Sequence, residues 1–264
     1  MENIMDRVLY EKKGHVGIIN LDFVSDLNYC DILGYKAINE AILRLRDDED
    51  VWVGIIQAAP GKGNFCAGAD LSDWDDFKRI LTENMGTYLD SDMVTPKPII
   101  IATNGWTIGE GFNFVMAGDI IISHPNTKFW ANESKRGVNP VSIQIKLTQK
   151  IGYNKAMGFM IPGDVKDVEW GDKVGLVNEI CKENEDVRDV ALKYAERIVE
   201  ECAPLAVQGT KVGAWEMQHG HEDEAISKAI WARELCIESK DLKESWEAFK
   251  EKRKPVFKLS LIHI

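Results

Sequence analysis

Two short glycine-containing segments are where this chain has the means to do chemistry. The first is Gly61-Lys-Gly-Asn-Phe-Cys-Ala-Gly-Ala-Asp70 and the second is Asn104-Gly-Trp-Thr-Ile-Gly-Glu-Gly111. Each follows an apolar run and precedes a helical one. Glycine lets ligand atoms approach the main chain, and N–H groups at a helix start attract negative charge. Two such donors converging from separate loops would form an oxyanion hole, the device that stabilises charge developing on a carbonyl oxygen. Taken singly, either segment also reads as an ordinary strand-to-helix turn, and the residues alone leave both readings open. Neither spells GxxxxGK[ST] or GxGxxG, so nucleotide hydrolysis and dinucleotide-dependent redox chemistry lose support. His15, His124, His219 and His221 show no dependable ligand spacing beyond a weak His219-Gly-His221 pair, and no metal site is expected. The five cysteines are odd in number and lack a CxxC, which reads as reduced thiols.

The elements that must hold these loops follow from periodicity. Val16–Leu21 and residues 52–58 read as strands, the second apolar enough to be covered on both faces. Residues 31–47 carry Ile38, Ala41, Ile42 and Leu45 at helical spacing. The first glycine segment should lead into a helix capped by Asp70 or Ser72. The theme then repeats: a strand at 98–102, a turn at Asn104-Gly105, a helix at 109–117 and a strand at 119–123. Strand, turn and helix recurring in this way predict an α/β layered core. Past residue 140 the pattern turns helical. Val187, Val190, Ala191, Tyr194 and Ile198 form one apolar stripe, and Ile226, Ala229, Ile230 and Ile237 form another. Pro204 suits the first turn of a new helix.

Composition narrows the classes. The chain has 264 residues, 45% apolar and 28% charged, which is ordinary globular usage. A net charge of −11 and the lack of a basic stripe disfavour nucleic-acid binding. No apolar stretch approaches the ~18 residues of a membrane helix. Met1-Glu2-Asn3-Ile4 opens polar and acidic, so no secretory signal is expected and the expected location is the cytoplasm. At the other end, Leu259-Ser-Leu-Ile-His-Ile264 matches the translation of a transposase sequencing adaptor. Residues 259–264 are therefore expected to be an artefact, with the natural frame running on past Lys258.

Phe65-Cys-Ala-Gly-Ala-Asp-Leu71, followed by Pro96-Lys-Pro-Ile-Ile-Ile-Ala-Thr-Asn-Gly-Trp-Thr-Ile-Gly-Glu-Gly111, resembles the enoyl-CoA hydratase/isomerase (crotonase) superfamily. The likeness continues through Phe129-Trp-Ala-Asn-Glu133, Gly163-Asp164, Gly175-Leu-Val177 and Phe249-Lys-Glu-Lys-Arg-Lys-Pro255. It implies an α/β spiral of repeated ββα units over residues 1–200. A C-terminal helical region, 201–258, would build trimers or dimers of trimers and cover the CoA. It implies an acyl-CoA thioester substrate, no cofactor beyond that CoA, and an enolate held by the N–H groups of Ala69 and Glu110. Leu27, Ala67, Asp70, Phe249 and Lys252 match CoA-contacting positions. Around Ser25-Asp-Leu-Asn28 the basic residue often carried by the family is absent.

The resemblance assigns proton transfer to Glu133. A second glutamate used by hydratases of the family is Asn113 here, and an amide orients water or substrate but does not shuttle protons near neutral pH. That points to one-base chemistry: a hydratase or isomerase working with a single glutamate. Thioester hydrolysis, C–C cleavage and a non-catalytic acyl-CoA-binding role are the alternatives. Glu110 stands where the family usually has the middle glycine of GGG, which leaves its side chain unexplained. Trp106, Phe112 and Trp130 flank the motif and either shape an acyl pocket or belong to the core.

Overall fold

The computed structural model describes residues 7–82, 87–89 and 93–259. Its strands are β1 (Val8–Lys13), β2 (Val16–Leu21), β3 (Val53–Ala58), β4 (Ile99–Thr103), β5 (Trp106–Ile108), β6 (Ile120–Ser123), β7 (Lys128–Trp130), β8 (Lys166–Asp167) and β9 (Glu179–Ile180). One sheet runs β1-β2-β3-β4-β6-β9; its first pair is antiparallel and all the others are parallel. A smaller sheet, β5-β7-β8, stands beside it. This is the α/β layered core expected from the recurring strands, turns and helices, followed by a helical C-terminal region.

Alternation along the strands explains why the large sheet is buried on both faces. Val16, Ile18, Val53, Ile55, Ile100, Ala102 and Ile122 point to one side, where helix α7 (Val187–Glu201) covers them with Val187, Ala191 and Ala195. Ile19, Leu21, Ile56, Ile99, Ile101 and Ile121 point to the other. There α1 (Ile32–Asp47) presents Ile38, Ala41, Ile42 and Leu45, the stripe expected from spacing, behind an N-cap in which Asp31 accepts from Gly34 N. Leu45 fits because β3 carries Gly54 opposite it: a Cβ there would meet Leu45 Cδ1 at 2.6 Å.

Helix α2 (Trp74–Thr82) begins later than the spacing suggested. Its cap is Asp73, which accepts from Asp76 N at 2.9 Å; Asp70 instead closes a local turn onto Ser72 N. Side-chain reach decides this, since Asp, Ser and Asp are all competent caps and only the chain direction selects one. Helix α3 (Glu110–Met116) follows β5, and α4 (Val141–Ile151), α5 (Tyr153–Met160) and α6 (Val168–Lys173) pack around its outer side.

Past α7 come α8 (Pro204–His219), α9 (Glu222–Glu238) and α10 (Lys240–Glu251), with Pro204 in the first turn as expected. Helices α8 and α9 meet through small residues: a Cβ on Gly209 would touch Ala232 at 2.9 Å, and one on Gly213 would touch Ala229 at 3.2 Å. Of the expected stripe Ile226, Ala229, Ile230 and Ile237, only Ala229 packs against α8, while the three isoleucines are exposed, because the close helix–helix approach is made through small residues. The tail beyond α10 folds back: Lys258 N and Leu259 N both donate to buried Asp241, and Phe257 and Leu259 pack near α7. Residues 260–264, most of the expected adaptor segment, lie outside the described residues. Among the described residues no helix is long and apolar enough to cross a membrane.

Candidate active site

The two glycine segments meet. Cys66 pairs with Thr107 as a parallel bridge, Ile108 N donates to Cys66 O at 3.0 Å, and Cys66 N donates to Trp106 O at 3.1 Å. On the other flank the first segment is anchored by Ala67 N to Leu27 O, Cys30 N to Gly68 O and Asp70 N to Cys30 O. Three glycines permit the junction. Gly68 and Gly109 have φ of +101° and +51°, a region side chains avoid. Gly111 lies so close to Cys66 that a Cβ would fall 2.1 Å from its carbonyl oxygen.

This junction sets Ala69 and Glu110 on neighbouring backbone segments, since a Cβ on Gly68 would lie 4.0 Å from Glu110 N. Glu110 is the first residue of α3, and the first N–H groups of a helix have no partner within it. Leu27, Ala67 and Asp70 gather here as well, on the same hydrogen-bonded strip.

Glu133 opens a 3-10 turn, Glu133–Arg136, just after β7. Gly109 N donates to Trp130 O, which brings this segment over the glycine junction, and a Cβ on Gly109 would lie 3.4 Å from Glu133 Oε1. Glu133 Oε2 is buried without a hydrogen-bond partner. Burial pushes the Glu133 carboxyl above the usual glutamate value of 4.5, opposed only by its own backbone N–H. A half-buried carboxyl group with an orphan oxygen, beside two backbone segments that meet, is chemically poised.

Asn113 is buried at 4% exposure in the first turn of α3. Its Nδ2 donates to Glu110 Oε1 at 3.3 Å, and its Oδ1 accepts from Ser142 Oγ at 2.7 Å. Tyr35 Oη in turn donates to Glu110 Oε2 at 3.2 Å. Burial first, and then the neighbouring Glu110 carboxylate, hold the Tyr35 phenol well above 10, so it stays protonated. Tyr35 and Ser142 escaped the sequence reading because they lie on α1 and α4, far from the motif, where nothing marks them as polar partners of Asn113. Phe112 is fully buried against Phe129 and Phe159, so it is core and not pocket wall. Its place in α3 turns it toward α5, away from the glycine junction. Trp106 and Trp130 form a tilted pair on the small sheet, and Trp130 Nε1 donates to Gly163 O.

Phe249 and Lys252 do not join this cluster within one chain. Phe249 is 84% exposed and Lys252 caps the end of α10 in a left-handed conformation. The hydrogen bonds of this tail run from Arg253 to Glu244, Lys254 to Glu200 and Val256 N to Glu244, not to the glycine junction.

Comparison with known proteins identifies the family. The family model "Enoyl-CoA hydratase/isomerase" matches residues 11–260. The chain belongs to the enoyl-CoA hydratase/isomerase family. It is 31% identical to the (E)-benzylidenesuccinyl-CoA hydratase of Thauera aromatica, over 95% of this chain and 98% of that one. It is 28% identical to the crotonyl-CoA hydratase of Syntrophomonas wolfei, over 96% and 98%. Among solved structures, the enoyl-CoA hydratase of Mycobacterium tuberculosis H37Rv superposes with a TM-score of 0.87 at 27% identity, covering 97% of this chain and 100% of that one. Family membership makes this an acyl-CoA enzyme; which reaction it performs is a question for the site.

Proposed function

We propose that this enzyme adds water to the double bond of a 2-enoyl-CoA thioester, using Glu133 as its one acid/base group. The observation that carries the reading is Glu133 itself: a half-buried carboxyl group, one oxygen of which is buried without a partner, held at the meeting of two backbone loops. In this reading the thioester oxygen sits between Ala69 N–H and Glu110 N–H, whose dipoles stabilise negative charge as it develops. Glu133, ionised, takes a proton from a water molecule oriented by Asn113. The hydroxide oxygen bonds to the β-carbon and the π electrons move to give the enolate. Glu133 then returns the same proton to the α-carbon, and the carboxylate is regenerated. The elements of water are added and no other proton donor is needed.

Leu27, Ala67 and Asp70 would hold the CoA moiety along their shared strip. Phe249 and Lys252 would contact the nucleotide end from a neighbouring copy. The exposed Ile226, Ile230 and Ile237 support the trimer or dimer of trimers that this arrangement requires. The T. aromatica relative's substrate places arylidene-succinyl thioesters beside simple enoyl ones as compounds to try.

The test is a panel of 2-enoyl-, 3-enoyl- and arylidene-succinyl-CoA esters followed by liquid chromatography and mass spectrometry. Gain of one water, lost in Glu133→Gln, supports the proposal. A product of unchanged mass replaces it with double-bond isomerisation, and free CoA replaces it with thioester hydrolysis. Binding without turnover across the panel would make the protein a non-catalytic acyl-CoA binder.

A further inference from the structure

We infer that the Glu110 side chain, with Tyr35 and Ser142, is a clamp that fixes the orientation of the Asn113 amide; the inference rests on the hydratase reading for its kinetic test. An amide has a donor end and an acceptor end of nearly equal shape, so position alone does not say which end faces what. Here the partners decide. Glu110 and Asn113 are three residues apart on α3 and share a helix face. A carboxylate only accepts, so the end of Asn113 that meets Glu110 Oε1 is Nδ2. The opposite end accepts from Ser142 Oγ on α4. Turning the amide over would set Oδ1 against the Glu110 carboxylate, acceptor facing acceptor. Tyr35 on α1 closes the chain by donating to the other Glu110 oxygen. Tyr35, at 3% exposure, and Asn113, at 4%, are shielded from water, which strengthens these bonds.

The clamp accounts for two departures from the usual family pattern at once. A carboxylate pair would hold water with either of two equivalent oxygens, and its orientation is immaterial. An amide in that place offers different atoms on its two sides, so it directs a water reproducibly only when it cannot flip. Glu110, placed where the family usually has glycine, supplies the charge that prevents the flip. Its oxygens are engaged by Tyr35 and Asn113, which makes Glu110 a positioning residue and leaves proton transfer to Glu133. Its backbone N–H and its side chain thus do separate jobs.

The test uses the full chain and an enoyl-CoA whose hydration by the wild type has been measured. Ser142→Ala should lower kcat by about 5–20-fold with KM within about twofold, the signature of a misplaced reacting group. Ser142→Thr, which keeps the hydroxyl, should restore at least about half of kcat. Combined with Asn113→Ala, Ser142→Ala should cost less than about twofold more, because residues acting through one group are not additive. Equal losses in the two backgrounds, or KM rising in step with the fall in kcat, would overturn the clamp. A second readout needs no turnover. With [15N]asparagine labelling, the Asn113 side-chain NH2 should give one sharp, slowly exchanging pair that broadens in Ser142→Ala and in Glu110→Gln. An unchanged pair in both variants would refute the clamp even if the wild type proved to catalyse another reaction.

Discussion

Replacing Glu133 by Gln removes one proton-transfer group and keeps the shape. The size of the effect follows from what surrounds it. Glu133 Oε2 has no hydrogen-bond partner that could relay a proton, Asn113 is an amide, and both Glu110 oxygens are engaged by Tyr35 and Asn113. With no unengaged substitute among these neighbours, the loss should reach the upper part of the ~10²–10⁴-fold range of general acid–base catalysis, about 4–5 kcal/mol of transition-state stabilisation. The stability effect has the opposite sign. The folded pKa of Glu133 is raised, so the wild type loses stability as pH climbs from about 4.5 through that pKa, and the penalty persists above it. The Gln variant carries no such penalty and should melt at the same temperature or higher at neutral pH. The assay is loss of the conjugated enoyl-thioester ultraviolet band, run beside calorimetry. A Gln variant that keeps more than about a tenth of wild-type kcat would refute the single-base argument.

In the wild type, kcat/KM should fall tenfold per pH unit on the acid side, with a midpoint above 4.5 that vanishes in Glu133→Gln; a flat profile down to pH 4 would count against an ionised base. Gly111→Ala drives a Cβ into the carbonyl of Cys66 and should separate the two loops, abolishing turnover and lowering Tm, as measured by activity and thermal melts. Lys97 is buried and donates to the carbonyls of Leu45, Arg46 and Asp48 at the end of α1, so Lys97→Met should cost about 1–3 kcal/mol in urea unfolding while kcat stays within about twofold. Lys252→Ala and Phe249→Ala should raise KM for CoA esters and leave pantetheine thioesters, which lack the nucleotide, unaffected; equal effects on the two would remove these residues from the nucleotide site.

Much of the scaffold was legible because it rests on local periodicity. The strand at Val16–Leu21 and the α1 stripe follow from apolar spacing, which the structure turns into the two faces of one sheet. The glycine junction was legible as a motif, yet its reason is tertiary: Gly111 must be bare because Cys66, distant in sequence, packs onto it. Spacing misplaced the α2 cap, where Asp70, Ser72 and Asp73 are all locally competent and only the chain direction selects Asp73. On α9 it marked the apolar residues but not their partners: Ala229 meets Gly213 of α8 while Ile226, Ile230 and Ile237 are exposed.

Residue types and spacing marked the two glycine segments, and the family resemblance, not composition or periodicity, pointed to Glu133 and to the amide of Asn113 in place of a second carboxylate. Only the tertiary structure decided how they work together. Burial raised the Glu133 carboxyl, and folding brought Tyr35 from α1 and Ser142 from α4 to the Glu110–Asn113 pair. The physical reason is range. Backbone conformation and amphipathicity are set by neighbours within a turn or a strand, whereas desolvation and hydrogen-bond direction depend on whichever distant segments exclude water and point their donors inward.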